Sequence, residues 1–229
     1  MRLPDSITID QLAAFHDRVA KEFPSKENQA TWEAEIQFSP GASTAATRPV
    51  ARTEGYRFIS ADALRVIQVR LDGFAFSRLR PYTHWEEFRD EARNLWQEYV
   101  AIAKPLAVTR TALRYVNMID IPLPLRDFKE FILTTPEIAP GLPQGIASYF
   151  MRLVLPRPEI NAVAVVTEAL NQGTERKSTI PLIFDIDVFR EAEFDASSDA
   201  IWKELEGLRD VKNEIFFNSI TDRGKELFK

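Results

Sequence analysis

The sequence predicts an α+β protein: a curved antiparallel sheet of about seven to eight strands gripping two long helices, with an N-terminal helix in addition. Three observations predict it. Leu106 to Pro122 alternates two side-chain rows, as a strand must. Two long segments, one opening near Trp85 and one after Ser198, carry apolar stripes at helical spacing. The remaining apolar segments are short, consecutive and separated by turn residues, the pattern of adjacent antiparallel strands.

The elements follow in order. Thr8 and Gln11 have capping-box spacing, and Ile7 can staple onto Leu12. Leu12, Phe15, Val19 and Phe23 then share one helix face until Pro24 stops it. His16 sits beside that stripe as a helix residue with no partner histidine nearby. Trp32 to Phe38 alternates apolar and polar, a strand with one wet face. Ser39 to Pro49 reads as a loop, and Arg52 to Ser60 as a second strand. Leu64 to Leu71 and Phe74 to Leu79 form a hairpin around Asp72-Gly73, a pair that tolerates positive φ.

Thr83 to Glu86 is a second capping box, opening a helix whose stripe is Trp85, Phe88, Ala92, Leu95, Trp96, Tyr99 and Ile102. About 20 residues at 1.5 Å each give roughly 30 Å, enough to cross a sheet. The strand ending at Pro122 has rows Leu113, Tyr115, Asn117, Ile119, Ile121 and Arg114, Val116, Met118, Asp120. Both are largely apolar, which suits an interior strand covered on both faces. A short helix near Arg126 to Ile132 and a Pro/Gly loop follow. Ile146 to Leu155 and Ile160 to Leu170 then form a hairpin, with Asn171-Gln172-Gly173 as the next turn. Thr179 to Phe189 sets Phe184, Ile186 and Val188 on one face and Asp185 and Asp187 on the other. Asp195 to Ser198 supplies caps for the last helix, whose apolar face is Ile201, Leu205, Leu208, Ile215 and Ile220. Gly207 would let that helix approach the sheet. The arrangement suits helix-grip or TATA-binding-protein-like folds: one domain over 1–229, with two pseudo-equivalent halves near 1–105 and 106–229.

Composition narrows function. Charged residues at 28% against 45% apolar are ordinary for a folded chain. No apolar run approaches the roughly 18–20 residues of a membrane span, and the first residues show no apolar leader, so cytoplasm is the expectation. Absent cysteine excludes disulfides and thiolate metal sites. A net charge of −5 argues against non-specific binding to nucleic acid or anionic membranes. No phosphate-binding loop, dinucleotide fingerprint, nucleophile elbow or zincin motif occurs, and no cofactor is expected.

Charge is uneven. Arg48 to Arg80 holds seven arginines, no lysine and three acids, Glu54, Asp62 and Asp72. Arginine's planar fork suits carboxylate and phosphate recognition. Arg57, Arg65 and Arg70 are therefore either an anion-binding surface or cross-strand partners of Glu33, Glu35 and Asp62. Asp185 and Asp187 share a strand face, a spacing able to hold a divalent ion or to serve as solvated ion-pair partners. Asn117 lies with Tyr115 in an apolar row, where a buried amide must bond a neighbouring loop or a ligand. Arg114 either pairs with Asp120 or Asp185 or points into a pocket.

The strand L-R-Y-V-N-M-I-D-I-P resembles a bacterial family described as "sporadically distributed". Y-R-F-I-S with V-I-Q-V-R-L-D-G-F, P-Y-T-H-W-E-E-F, and F-D-I-D with F-F-N-S-I-T-D-R-G-K-E-L-F share the resemblance, in the same order along most of the chain. It implies a single-domain cytosolic protein and a patchy occurrence suggestive of mobile or defence-related gene cassettes. It implies no activity. Members open with a strand before the first helix, whereas only about six residues precede it here. That strand is either degenerate or missing, leaving an edge open to a partner or to a second copy.

The expectation is a non-catalytic binding protein (an adaptor, inhibitor or sensor subunit) whose Arg-rich face holds an acidic protein or anionic ligand. Alternatives are a metal-dependent hydrolase using Asp185 and Asp187, and a single-stranded nucleic-acid binder using arginines with Tyr56 and Tyr82.

Overall fold

The computed structural model describes residues 1–4, 7–37, 46–82, 84–171 and 178–228, with backbone alone for 31–37, 46–52 and 171. Its elements are α1 (Ile9–Val19), β1 (Ser25–Gln37), β2 (Ala46–Ile59), β3 (Arg65–Arg70), β4 (Gly73–Arg78), α2 (Trp85–Ala103), β5 (Val108–Pro122), β6 (Ser148–Arg157), β7 (Ala162–Asn171), β8 (Thr179–Phe194), α3 (Ala200–Ser219) and α4 (Asp222–Lys225). The protein is α+β, as predicted. Its strands form two four-stranded antiparallel sheets, ordered β1-β2-β3-β4 and β5-β8-β7-β6, not the single sheet expected. The chain divides into two compact units, Met1–Arg110 with Ala192–Trp202, and Thr111–Glu191 with Lys203–Lys229. Among the described residues no helix is long and apolar enough to cross a membrane.

In the first unit the Thr8–Gln11 capping box forms and sets Leu12, Phe15 and Val19 inward from α1. α2 buries Trp85, Leu95, Trp96, Tyr99 and Ala103. Thr83 of the expected second box lies outside the described residues, and the cap position is His84, whose side chain makes no capping bond. Phe15, Phe58, Phe74, Trp96 and Tyr99 make an aromatic core, with Phe74 5.3 Å from Trp96 and 5.0 Å from Tyr99 between ring centres. The Trp96 indole donates to the Ala196 carbonyl at 2.9 Å, so its one polar group is satisfied inside. His16 stacks on Phe58 at 4.9 Å, as a packed helix residue.

The predicted hairpin is present, but its turn is Leu71-Asp72, because Arg70 already pairs with Gly73. Gly73 answers a different need: a Cβ there would meet the Met1 carbonyl oxygen at 3.0 Å. Met1 and Leu3 exchange backbone bonds with Asp72 and Phe74, while Arg2 bonds to Thr109 and Arg110 on the other side. The short opening segment thus forms isolated bridges from Arg2 to Gly73 and to Arg110 in place of a full strand, as the degenerate alternative has it. The expected loop through Pro49 is in part strand from Ala46, and its earlier portion lies outside the described residues, as does Gln172-Gly173.

In the second unit the inner sheet face is built from Leu113, Ile119 and Ile121 of β5, Leu182, Phe184, Ile186 and Val188 of β8, and Ala164, Val166 and Leu170 of β7. α3 lies on this face: Phe184 is 6.1 Å from Phe216, and Leu205, Leu208, Val211 and Ile215 are buried. Gly207 makes no close approach; an added Cβ would find nothing within 4 Å. Thr221 caps α4, its hydroxyl donating to the Glu130 carbonyl at 2.6 Å, while its N–H donates to Phe131 at 3.0 Å. Gly224 is required there, since a Cβ would sit 2.3 Å from the Phe131 oxygen.

β5 departs from expectation. It heads the order of its sheet, and its Arg114–Val116–Met118 row is exposed. Two apolar residues between charged ones do not make a buried row, so only the Leu113–Ile121 face is core.

Candidate partner-binding face

The outer face of the second sheet is assembled by strand alternation. With Phe184 and Ile186 turned towards α3, Ile183, Asp185 and Asp187 of β8 must turn away. Register carries that parity across. Ile183 stands opposite Ala169, Asp185 opposite Thr167, and Asp187 opposite Val165 on β7. These in turn stand opposite Phe150, Arg152 and Val154 on β6. β5 contributes Arg114, Val116 and Met118 to the same side.

Apolar exposure dominates this face. Phe150 keeps 72% of its surface, Val116 61% and Val154 50%, with Met118 and Ile183 also open. A lone exposed apolar residue needs no explanation, but several aligned on one sheet face form a patch of the kind that interaction sites use.

In its midst Arg114 and Asp185 form an ion pair. Arg114 Nε donates to Asp185 Oδ1 at 2.9 Å and Nη2 to Oδ2 at 2.6 Å, a two-pronged geometry. Asp185 is 8% exposed while the guanidinium is largely in solvent. The bonds to Asp185 raise the Arg114 pKa above its ordinary value, with Asp187 adding to the effect. Arg114 and Asp185 are thus brought together, and Asp187 shares their face. Tyr115 and Asn117 are on the opposite one. Asn117 Nδ2 donates to the Phe184 carbonyl at 3.0 Å, and Lys212 Nζ stands 3.9 Å over the Tyr115 ring.

The arginines expected to form a cationic surface belong to the first unit and do not share one face. Arg57 and Arg70 lie on one side of β2 and β3; Arg65 lies on the other. Arg57 binds Glu27 at 3.2 Å, and Arg70 binds Glu54 at 3.4 Å and Asp72 at 3.1 Å. Arg65 binds Glu91 of α2 at 2.7 Å and Glu22 at 3.3 Å, with its guanidinium 5.2 Å from the Phe23 ring. These guanidinium groups are neutralised by the chain's own carboxylates. The partners are Glu22, Glu27, Glu54, Asp72 and Glu91, none of which except Glu54 and Asp72 belongs to the arginine-rich segment itself.

Asp185 is committed to Arg114, and no group of three or more His, Cys, Asp or Glu that could hold a metal occurs among the described residues. Sequence reasoning passed over Glu168. It stands in the inner row of β7 with Ala164, Val166 and Leu170, and is 0% exposed. Tyr149 donates to its Oε2 at 3.1 Å, and Oε1 has no partner among the described residues. Burial pushes its carboxyl up to about 7, against the lowering effect of the Tyr149 bond. Burial likewise pushes Lys212 down to about 8, with Arg209 adding repulsion. The signal was available: an acid at the apolar parity of a strand. An open cleft of about 610 Å³ in this unit is lined by Arg126, Phe128, Pro136, Glu137 and Ile146 among others, but not by Glu168, Tyr149 or Lys212. Tyr149 and Glu168 are therefore partners of one another, and Lys212 is held apart from them over the Tyr115 ring.

No protein-family model, no curated protein and no solved structure matches the chain.

Proposed function

We propose that the protein is a non-catalytic binding protein, an adaptor, inhibitor or sensor subunit, that holds a protein partner on the outer face of its second sheet. One observation carries this reading: Phe150, Val154, Val116, Met118 and Ile183 lie open on one sheet face around the Arg114–Asp185 pair. Covering such a face on binding removes apolar surface from water at about 25 cal/mol per Å². The ion pair inside it would supply orientation more than affinity. An acidic partner drawn to Arg57 and Arg70 is less well supported, because those groups already hold carboxylates.

The test is a native pull-down read by mass spectrometry, comparing four forms of the protein. Val116→Asp and Phe150→Asp should each empty the capture of specific partners while leaving the melting temperature nearly unchanged, since both side chains are exposed. Arg57→Glu and Arg70→Glu should leave capture intact. If the arginine variants lose the partner and the face variants keep it, the binding surface is the first sheet and this reading is wrong.

A further inference from the structure

We propose that the free edge of β6 is a docking site for an extended segment of a protein partner, which adds to the second sheet as a fifth strand. The segment would be apolar on one side. On the other it would place an acidic residue beside Arg152, between two apolar ones. This rests on the partner-binding reading above and names the mode and chemistry of the partner.

β6 ends its sheet, and it pairs with β7 without a register shift from Ser148–Asn171 to Arg157–Ala162. Its second row of backbone N–H and C=O groups therefore meets no strand among the described residues. Natural edges are blunted by bulges, lysines, prolines or inward charges. β1, the corresponding end of the first sheet, is blunted by charge, its sequence carrying Lys26, Glu27, Glu33 and Glu35, and its pairing is bent where β2 inserts the extra residue Glu54 opposite Gln29 and Ala30. β6 has a proline only at Pro156, near its end, and over the preceding eight residues its only charge is Arg152.

Side chains add specificity to that open ladder. Phe150, Arg152 and Val154 alternate on the outer side, and Met151, Leu153 and Leu155 on the inner. Arg152 is exposed, faces neutral Thr167 across the strand pair, and has no carboxylate partner among the described residues. In contrast, Arg57, Arg65, Arg70, Arg114, Arg157 and Arg190 each hold a carboxylate of this chain. An unpaired guanidinium between two exposed apolar residues on a strand edge matches an apolar–acidic–apolar alternation in the incoming strand. In strand addition the backbone ladder supplies affinity and alternate side chains supply selection. A second copy pairing through the middle of β6 would instead set Arg152 against Arg152, like charge against like.

The experiment pans random displayed decapeptides on the intact protein and measures the selected peptides by fluorescence anisotropy. Enriched sequences should carry an acid flanked by apolar residues at alternate positions. Their affinity should fall at least about tenfold on Arg152→Glu, as expected for loss of an arginine–carboxylate pair, and recover when the peptide's acid is changed to lysine. N-methylation of alternate peptide amides should abolish binding with side chains unchanged. Enrichment lacking this alternation, or affinities unmoved by both Arg152→Glu and N-methylation, would overturn the proposal. So would a dimer in sedimentation that Arg152→Glu dissociates or strengthens, because the edge would then belong to a second copy. If these edge tests fail while Phe150→Asp and Val116→Asp still empty the pull-down, only the strand-addition mode falls. If both fail, the binding reading falls with it.

Discussion

The two sheets share a strand count but treat their outer faces in opposite ways. On the first, Arg57, Glu27, Arg70, Glu54 and Asp72 satisfy one another, and the end strand is rich in charge, with Lys26 and Glu27 among its first pairs. On the second, apolar side chains lie open around the Arg114–Asp185 ion pair, and the end strand β6 pairs without a register shift. The difference teaches that a charge visible in a sequence is not a charge available to a partner. Seven arginines over 33 positions draw attention, but the chain supplies Arg57, Arg65 and Arg70 with carboxylates from β1, α2, the loop before β1 and the segment itself. Exposed apolar area has no internal remedy of that kind, so it is the better guide to what a protein holds.

The largest expected effect tests how tightly the first sheet is closed. A Cβ on Gly55 would sit 2.0 Å from the Val69 carbonyl oxygen and 2.9 Å from the Arg70 Cα, both backbone. Neither can move without parting β2 from β3. Gly55→Ala should therefore cost about 3 kcal/mol or more in chemical denaturation, at the upper end of overpacking penalties. A cost below about 1 kcal/mol would show that this sheet yields as readily as an exposed surface.

A smaller effect separates the two kinds of ion pair. Arg70 and its partners are solvated, so Arg70→Ala should cost under about 1 kcal/mol. Arg114→Ala strands the carboxylate of Asp185, which is nearly buried, and should cost about 2 kcal/mol, less than a fully buried pair because the guanidinium is exposed. The double variant Arg114→Ala, Asp185→Asn should recover part of that loss in a mutant cycle. Equal costs for the two arginines would erase the distinction drawn between the faces.

Much of this was legible beforehand. The order of helices and strands, the Thr8–Gln11 cap and the inward parity of Phe184, Ile186 and Val188 follow from periodicities of 3.6 and 2, which are local. The partner of Arg114 was one of two named acids, because only a few carboxylates could reach it. What stayed hidden was non-local. The outer row of β5 was read as covered because Val116 and Met118 are apolar, and nothing within one strand says whether a helix lies over it. The β3–β4 turn is Leu71-Asp72 because Arg70 already pairs with Gly73, and Gly73 instead leaves room for the Met1 backbone, a contact from seventy-odd residues away in sequence. Whether Arg57 faced solvent or Glu27 depended on pairing between strands, which spacing alone does not fix.

The second sheet inverts the usual arrangement twice, with apolar residues outside and an acid within. Glu168 sharpens the contrast through pH. Its folded value of about 7 stands above its ordinary 4.5, so between these values the folded state binds more protons than the unfolded one. This contribution to stability is complete below about pH 4.5, declines as pH rises towards 7, and is lost above it. Glu168→Gln, which mimics the neutral acid, should therefore stabilise the protein by about 2 kcal/mol at pH 8 and by nearly nothing at pH 4. Denaturation midpoints of the two forms across that range measure it. A constant difference at all pH values would mean that Glu168 does not titrate in this window.

The smallest effect sets one glycine against another. Gly55 is held by backbone on the neighbouring strand, whereas Gly207 lies on the exposed side of α3 with open space where a Cβ would go. It sits mid-helix without a positive φ, so alanine is compatible with its backbone, and alanine favours the helix and restricts the unfolded chain. Gly207→Ala should raise stability by about 0.5–1 kcal/mol. A loss of stability instead would mean that some other part of the protein comes closer to α3 than its packing on the inner face requires, whereas a stabilised variant with weakened capture in the pull-down would mean that a partner does.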